Sequence, residues 1–216
     1  MKNNKKLIII AEISIFAAIG FVIDFIQSAI SKAIFPVGGS IGFAMVPVIV
    51  IAYRRGLLPG ILCGLLLSVV QMLGGIYVIS SDAIIPALES IGITNEVVQQ
   101  FFVVCGPFIQ VLLDYVLAYT LVGFAGVFYK SFNKTTSVKN KILYVSLGTL
   151  IGGGLKYISH ILSGVFFWPG EIFNISGVMY SFVYNGLYCI PNIILSIGLM
   201  ILLVRFYPVI FKTDRD

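Results

Sequence analysis

Four ionisable residues, Asp24, Asp114, Lys156 and His160, sit deep inside long apolar runs. At the centre of a bilayer helix, a charge costs about 2.5–3.5 kcal/mol on insertion scales, so such groups persist where they pair or line a pathway. Counting along a helix from the nearest basic anchor gives their depth. Asp114 is ~24 Å from Lys130, His160 ~28 Å from Lys141 and Asn185 ~30 Å from Arg205 at the helical rise. Residues from three different segments therefore share one level, where Tyr115, Trp168, Tyr180, Tyr184 and Tyr188 also gather. A carboxylate walled by aromatic faces suits a small planar organic cation, which gains Coulomb attraction and about 0.5–2 kcal/mol of cation–π contact. The picture is a polar, aromatic-walled cup.

Each residue also has a plainer explanation. Asp114 and Lys156, the latter one turn from His160, could form a structural ion pair. His160 alone would be an ordinary interior donor, and Trp168 and the tyrosines would mark a membrane interface. Asp24, midway along the first apolar run, is not assigned to the cup. Ser163 follows His160 by three residues, but no G-x-S-x-G or HExxH motif accompanies it, which argues against an enzyme. Without a G-x4-GK[ST] loop, any ATP-driven process needs a partner.

The elements that must position these residues are membrane helices. Of 216 residues, 59% are apolar and 11% charged, with a mean hydropathy of +1.05. A soluble domain of this length has no interior large enough for that apolar content. Runs near 7–33, 57–79, 99–129, 142–168 and 176–207 approach or exceed the roughly 20 residues needed to cross a bilayer. A shorter run at 40–53, containing Pro47 and following the turn-rich Pro36-Val37-Gly38-Gly39-Ser40, makes a sixth, as a tilted or broken helix lining a cavity. The basic amino terminus lacks a small-residue cleavage site at signal-peptide length, so the first run is expected to be a retained span.

With the amino terminus inside, the inner segments hold Lys2, Lys5, Lys6, Arg54, Arg55, Lys130, Lys134, Lys139, Lys141, Arg205, Lys212 and Arg215. The outer segments carry Asp82, Glu89, Glu96 and Glu171, with Lys32 the nearby base. This asymmetry predicts an all-α integral membrane protein of six transmembrane helices in a single domain, with both termini cytoplasmic and the binding cavity facing outward. The net charge of +5 is then a topology signal, and no nucleic-acid partner is implied. Cys63, Cys105 and Cys189 share no CxxC spacing and read as small core hydrophobes, so no metal site is expected. Gly60-x3-Gly64 and Gly148-x3-Gly152, followed by Gly153 and Gly154, are faces for close helix packing. The connection from about Ser80 to Gln100 has a helix-compatible pattern suited to a lid, an interfacial helix or a passive loop.

Several segments, in this order, resemble the thiamine-specific S components of energy-coupling factor importers. They are Met45-Val46-Pro47 through Ala52-Tyr53-Arg54-Arg55-Gly56, Gln110 through Asp114-Tyr115 to Ala118, Gly154-Leu155-Lys156-Tyr157-Ile158-Ser159-His160 to Gly164, and Tyr180 through Tyr184-Asn185-Gly186. The resemblance covers most of the chain. It implies thiamine as ligand, with no cofactor and no covalent chemistry, in a multi-pass plasma-membrane protein. Asp114 would hold the thiazolium part or its hydroxyl, Trp168 and Tyr180 would stack on ligand rings, and His160 with Asn185 would bind the aminopyrimidine. Tyr180 and Asn185 are about 140° apart on a regular helix. Either the last helix starts after Tyr180 or Tyr184 is the better ring.

The chain departs from the family pattern in two places. Ile34-Phe35-Pro36 stands where the family tends to have a tryptophan, with Phe35 as the substitute ring, and the 80–100 connection is longer. The family further implies a transmembrane coupling subunit and two cytoplasmic ATPases as partners. Ser14-x3-Ala18 on the first helix is the nearest docking match. The alternative is a stand-alone secondary transporter for a small organic cation or a related pyrimidine or thiazole precursor, although no repeat between the two halves supports it.

Overall fold

Lipid offers no hydrogen bonds, so apolar runs of this length must satisfy their own backbone groups, and they do so as helices. The computed structural model describes residues 2–35 and 38–213, with side chains from residue 5 onward. Pro36, Val37, Arg215 and the side chain of Lys2 lie outside the described residues. Chain order is α1 (Lys2–Ser31), α2 (Val46–Arg55), α3 (Leu57–Met72), α4 (Ser81–Ser90) and α5 (Glu96–Val111). A π-helical turn (Leu112–Val116) carries α5 into α6 (Leu117–Val122), a 3-10 stretch (Gly123–Phe128) and α7 (Tyr129–Lys134). Then come α8 (Val138–Phe167), the two-residue strands β1 (Glu171–Ile172) and β2 (Ile175–Ser176), paired antiparallel, α9 (Gly177–Phe206) and a 3-10 turn (Pro208–Phe211).

Among the described residues, four helical stretches are long and apolar enough to cross a membrane: Lys5–Ser31, Glu96–Lys134, Val138–Phe167 and Gly177–Phe206. Their large apolar side chains, including Phe25, Ile30, Phe108, Leu150 and Ile194, point away from the protein interior, as a lipid-facing surface requires. The protein is thus a multi-pass, all-helical membrane protein.

The short helices survive through burial in protein. α2 has 10 residues, about 15 Å at the helical rise, and residues Val46 to Tyr53 are all buried. Pro47 falls in its first turn, where a missing N–H disturbs nothing. Gly56, at φ 109°, turns the chain directly into α3, a backbone state that L side chains rarely adopt. The run expected at 40–53 is helical only from Val46.

Three helical stretches approach backbone to backbone. A Cβ on Gly64 of α3 would lie 2.1 Å from the Tyr119 carbonyl oxygen, and one on Gly152 of α8 would lie 2.5 Å from that of Val122. Gly154 faces open space. The glycine faces read from the sequence therefore clamp α3 and α8 onto the two sides of α6.

Two further contacts fix the ends of the bundle. Glu12 on α1 accepts hydrogen bonds from Arg54 (2.8 Å) and Arg55 (2.7 Å) at the end of α2. Arg54 also donates to the carbonyls of Ile210 and Lys212. At the opposite end, the 80–100 connection folds as α4, whose Ile84, Ala87 and Leu88 are buried against Phe167 and neighbouring rings. Ser14 and Ala18 face outward on α1, and the Ser14 hydroxyl donates to the Ile10 carbonyl at 3.0 Å. The three cysteines are free thiols.

Adding one methyl at the tightest crossing tests this packing. Gly64→Ala should cost about 1–3 kcal/mol of stability through overpacking, read as a lower thermal midpoint of the detergent-solubilised protein, whereas Gly154→Ala should leave the midpoint unchanged or raised. Equal midpoints for the two variants would contradict the backbone contact.

Candidate functional site

The π-helical turn at Leu112–Val116 widens the longest helical stretch where Asp114 sits. Such bulges re-aim side chains and recur at functional sites. Asp114 is largely buried, and side chains from its own helix, α8 and the turn after α8 converge on it. Its Oδ2 accepts from Gln110 Nε2 (2.9 Å), Ser163 Oγ (2.7 Å) and Trp168 Nε1 (3.0 Å). Its Oδ1 lies 3.3 Å from His160 Nδ1. The spacing on α8 explains part of this convergence: His160 and Ser163 are one turn apart on one face. Trp168 follows as the C-cap residue, where the chain leaves the helix.

Of these, Asp114, His160 and Trp168 wall a cavity of about 170 Å³. At 10–15 Å³ of such space per water, that is room for roughly a dozen waters, far more than a simple ion needs. Asp114, Tyr115, His160, Trp168, Tyr180, Tyr184 and Asn185 all line it. α9 starts at Gly177, so Tyr180 and Tyr184 stand one helical turn apart. Their rings stack, with centroids 5.5 Å apart and planes at 28°. Both rings therefore face the cavity, which removes the choice between them. Asn185 is held by Ser181 and the His160 carbonyl through its amide nitrogen, while its oxygen accepts from the Tyr188 hydroxyl.

Phe35 does not line the cavity. It is buried behind the wall, edge-on to Tyr184 (6.1 Å) and Tyr188 (5.7 Å), because the chain after α1 folds back over α9. α2 contributes no lining residue either. Gly38, Gly39 and Ser40 in the connection before it do so instead. At Gly39, φ is 102° and a Cβ would lie 2.6 Å from the Tyr188 ring, so only glycine fits. Tyr184 donates to the Gly38 carbonyl at 2.9 Å.

The sequence reading missed a second acidic group in the same cavity. Asp24 accepts from Tyr119 (2.7 Å), Gln27 (3.1 Å) and Gln71 (2.7 Å). The Lys156 ammonium stands 3.7 Å over the Tyr119 ring. Lys156 is thus linked to Asp24 through Tyr119, and among the described residues it forms no salt bridge with Asp114. The structural ion pair considered for Asp114 and Lys156 is not formed. The signal for Asp24 was already present, since a mid-span carboxylate is costly wherever it lies, but its partners come from segments far apart in the chain.

The family model described as thiamine transporter protein matches residues 10–86 and 90–212 of the chain. The break in the match falls inside α4. The thiamine transporter ThiT of Bacillus subtilis (strain 168) is 29% identical over 219 residues, covering 100% of both chains. The thiamine transporter ThiT of Lacticaseibacillus paracasei is 26% identical over 215 residues, covering 98% of this chain and 94% of the relative. A solved structure of ThiT from Listeria monocytogenes matches with a TM-score of 0.70 at 27% identity, covering 97% of this chain and 100% of that one.

Asp24 should matter to the fold. Asp24→Asn replaces one carboxylate oxygen by a donor facing other donors, and should cost about 1–3 kcal/mol, seen as a lower thermal midpoint of the ligand-free protein. An unchanged midpoint would contradict the three-donor arrangement.

Proposed function

The chain belongs to the thiamine transporter protein family, and from that membership we propose that it is the high-affinity thiamine-capture subunit of an ATP-driven importer of the energy-coupling factor type. The observation that carries this reading is the Asp114 carboxylate, held by four side chains in a cavity walled by Tyr115, Trp168, Tyr180 and Tyr184. Thiamine is a flat, singly charged cation with a thiazolium ring and a neutral aminopyrimidine. Asp114 supplies the opposite charge, and the rings supply stacking faces and cation–π contact. His160, at the side of Asp114, and Asn185 meet the aminopyrimidine edge. The role is binding and release, and the protein is a transport subunit with no enzymatic step of its own.

In this reading α1, α2, α3, the Glu96–Lys134 stretch, α8 and α9 are the six crossings. Both termini are cytoplasmic, and the cavity opens to the outside of the plasma membrane. The cationic ends of α1 and α2 then lie on the inner face, as the positive-inside rule requires. A transmembrane coupling subunit docks on the outward-facing Ser14 and Ala18 of α1, where small side chains permit close helix approach. Two cytoplasmic ATPases hydrolyse the ATP. Phe35 acts as a backing ring that holds Tyr184 and Tyr188 in place.

Trp168 is the single tryptophan of the chain, and its indole N–H donates to Asp114, so its fluorescence reports directly on the site. Titrating the purified protein with thiamine should give saturable quenching at submicromolar concentration, with no response to an uncharged pyrimidine or to riboflavin. Absence of thiamine binding by both quenching and calorimetry would overturn the reading.

A further inference from the structure

Residues 73–80, between α3 and α4, form no helix or strand, yet at Tyr77 they are tied to the helix that carries Asp114. Tyr77 donates its backbone N–H to the Tyr115 hydroxyl at 2.7 Å, and its carbonyl accepts from Gln110 Nε2 at 3.0 Å. Both partners come from the helix that carries Asp114, four residues before it and one after it. The Tyr77 ring lines the cavity and is 63% exposed, which puts this segment at the cavity rim. Farther along, Ile79 is buried against the α4 cluster.

Gln110 is fully buried. One amide nitrogen serves two acceptors, the Tyr77 carbonyl and Asp114 Oδ2. Turning the amide over would set its oxygen against both acceptors, so its orientation is fixed. That orientation leaves Gln110 Oε1 buried without a hydrogen-bond partner among the described residues. A buried acceptor left alone costs stability, so the bridge is kept at the expense of an unsatisfied atom. Asp114 Oδ2 is crowded in its turn, with three donors on an oxygen that has two lone pairs. A ligand that donates to Oδ2 must therefore redistribute these bonds, and Gln110 carries the change to the rim.

We propose that Gln110 is a positioning residue that couples the 73–80 rim segment to the occupancy of Asp114, so that ligand binding at the carboxylate tightens the rim over the cavity. The ligand arm of this inference rests on the thiamine reading; the bridge itself does not. Tyr115 holds the second end of the rim contact and keeps Tyr77 in place while the Gln110 bond adjusts.

Hydrogen exchange of the full-length protein in detergent, read by mass spectrometry over 73–80 with 81–90 as reference, tests both parts. Without ligand, Gln110→Met, which keeps the side-chain length and removes the donor, should exchange about tenfold faster over 73–80, the effect of losing one hydrogen bond. The reference segment should be unchanged. With each protein saturated with thiamine, as judged by its own Trp168 quenching and whatever its affinity, the wild type should slow over 73–80, whereas Gln110→Met should show no slowing at the rim. Equal ligand-free exchange in the two proteins would overturn the bridge. Thiamine binding that leaves rim exchange unchanged in the wild type, or slows it equally in both proteins, would overturn the coupling. If Gln110→Met fails to fold, Gln110→Leu, which also removes the donor, takes its place in the same comparison. If the wild type does not bind thiamine, the functional reading falls while the ligand-free comparison still decides the bridge.

Discussion

A carboxylate buried in a membrane protein must be surrounded by donors or it will not stay ionised, and at Asp114 that requirement organises the structure around it. Gln110, His160, Ser163 and Trp168 reach it from two helices and the turn beyond one of them. Holding those donors in place demands a π-helical turn at Leu112–Val116 and an α8 that presents His160 and Ser163 on one face. Trp168 must also sit at the exit of α8. The glycine contacts of α3 and α8 with α6 bring these helices close enough for the geometry to close. Asp114 meets three neutral donors and the His160 ring, whereas Asp24 has Lys156 nearby across the Tyr119 ring. The two acids therefore differ in surroundings: Asp24 ties α1 to α3 and α6, and Asp114 is the acid to which the proposed function gives the cation.

The membrane class and the level of the site were legible in the sequence because both depend on one-dimensional quantities. Long apolar runs need helices, and a fixed rise per residue places Asp114, His160 and Asn185 at one depth. That count also put Trp168, Tyr180 and Tyr184 beside them, and all of these line one cavity. What depends on rotation and chain return was not legible. Phe35 has the right type and position in the chain, yet the backbone after α1 turns it behind the tyrosines. Asp24 was set aside because no motif lies near it in the chain, and its partners Gln71 and Tyr119, 47 and 95 residues away, meet it only on folding. The run at 40–53 read as a helix lining the cavity, but burial of Val46–Tyr53 on every side makes α2 a core element, and the Gly38–Ser40 connection takes the lining position.

Burial and exposure also divide the molecule into parts expected to hold still and parts free to respond. The interior around Tyr53, Ile49 and Leu67 is sealed, and the charged contacts of Glu12 with Arg54 and Arg55 fasten one end. At the other end, 73–80 donates to Tyr115 and accepts from Gln110 through Tyr77, and the stretch around Gly38 and Gly39 accepts from Tyr184. Segments with few buried contacts open at low free-energy cost, and here they border the cavity. A rigid floor with an adjustable rim suits a protein that must capture a scarce ligand and later let it go.

The claim at the centre of this account is that the Asp114 charge anchors the cation while Asp24 serves the fold. Calorimetric titration of thiamine into Asp114→Asn and Asp24→Asn tests it most directly. Removing the charge at Asp114 should weaken binding by one to several kcal/mol, on the order of tenfold to a thousandfold, with a clearly smaller loss at Asp24. Equal losses at the two positions, or full affinity in Asp114→Asn, would contradict the account.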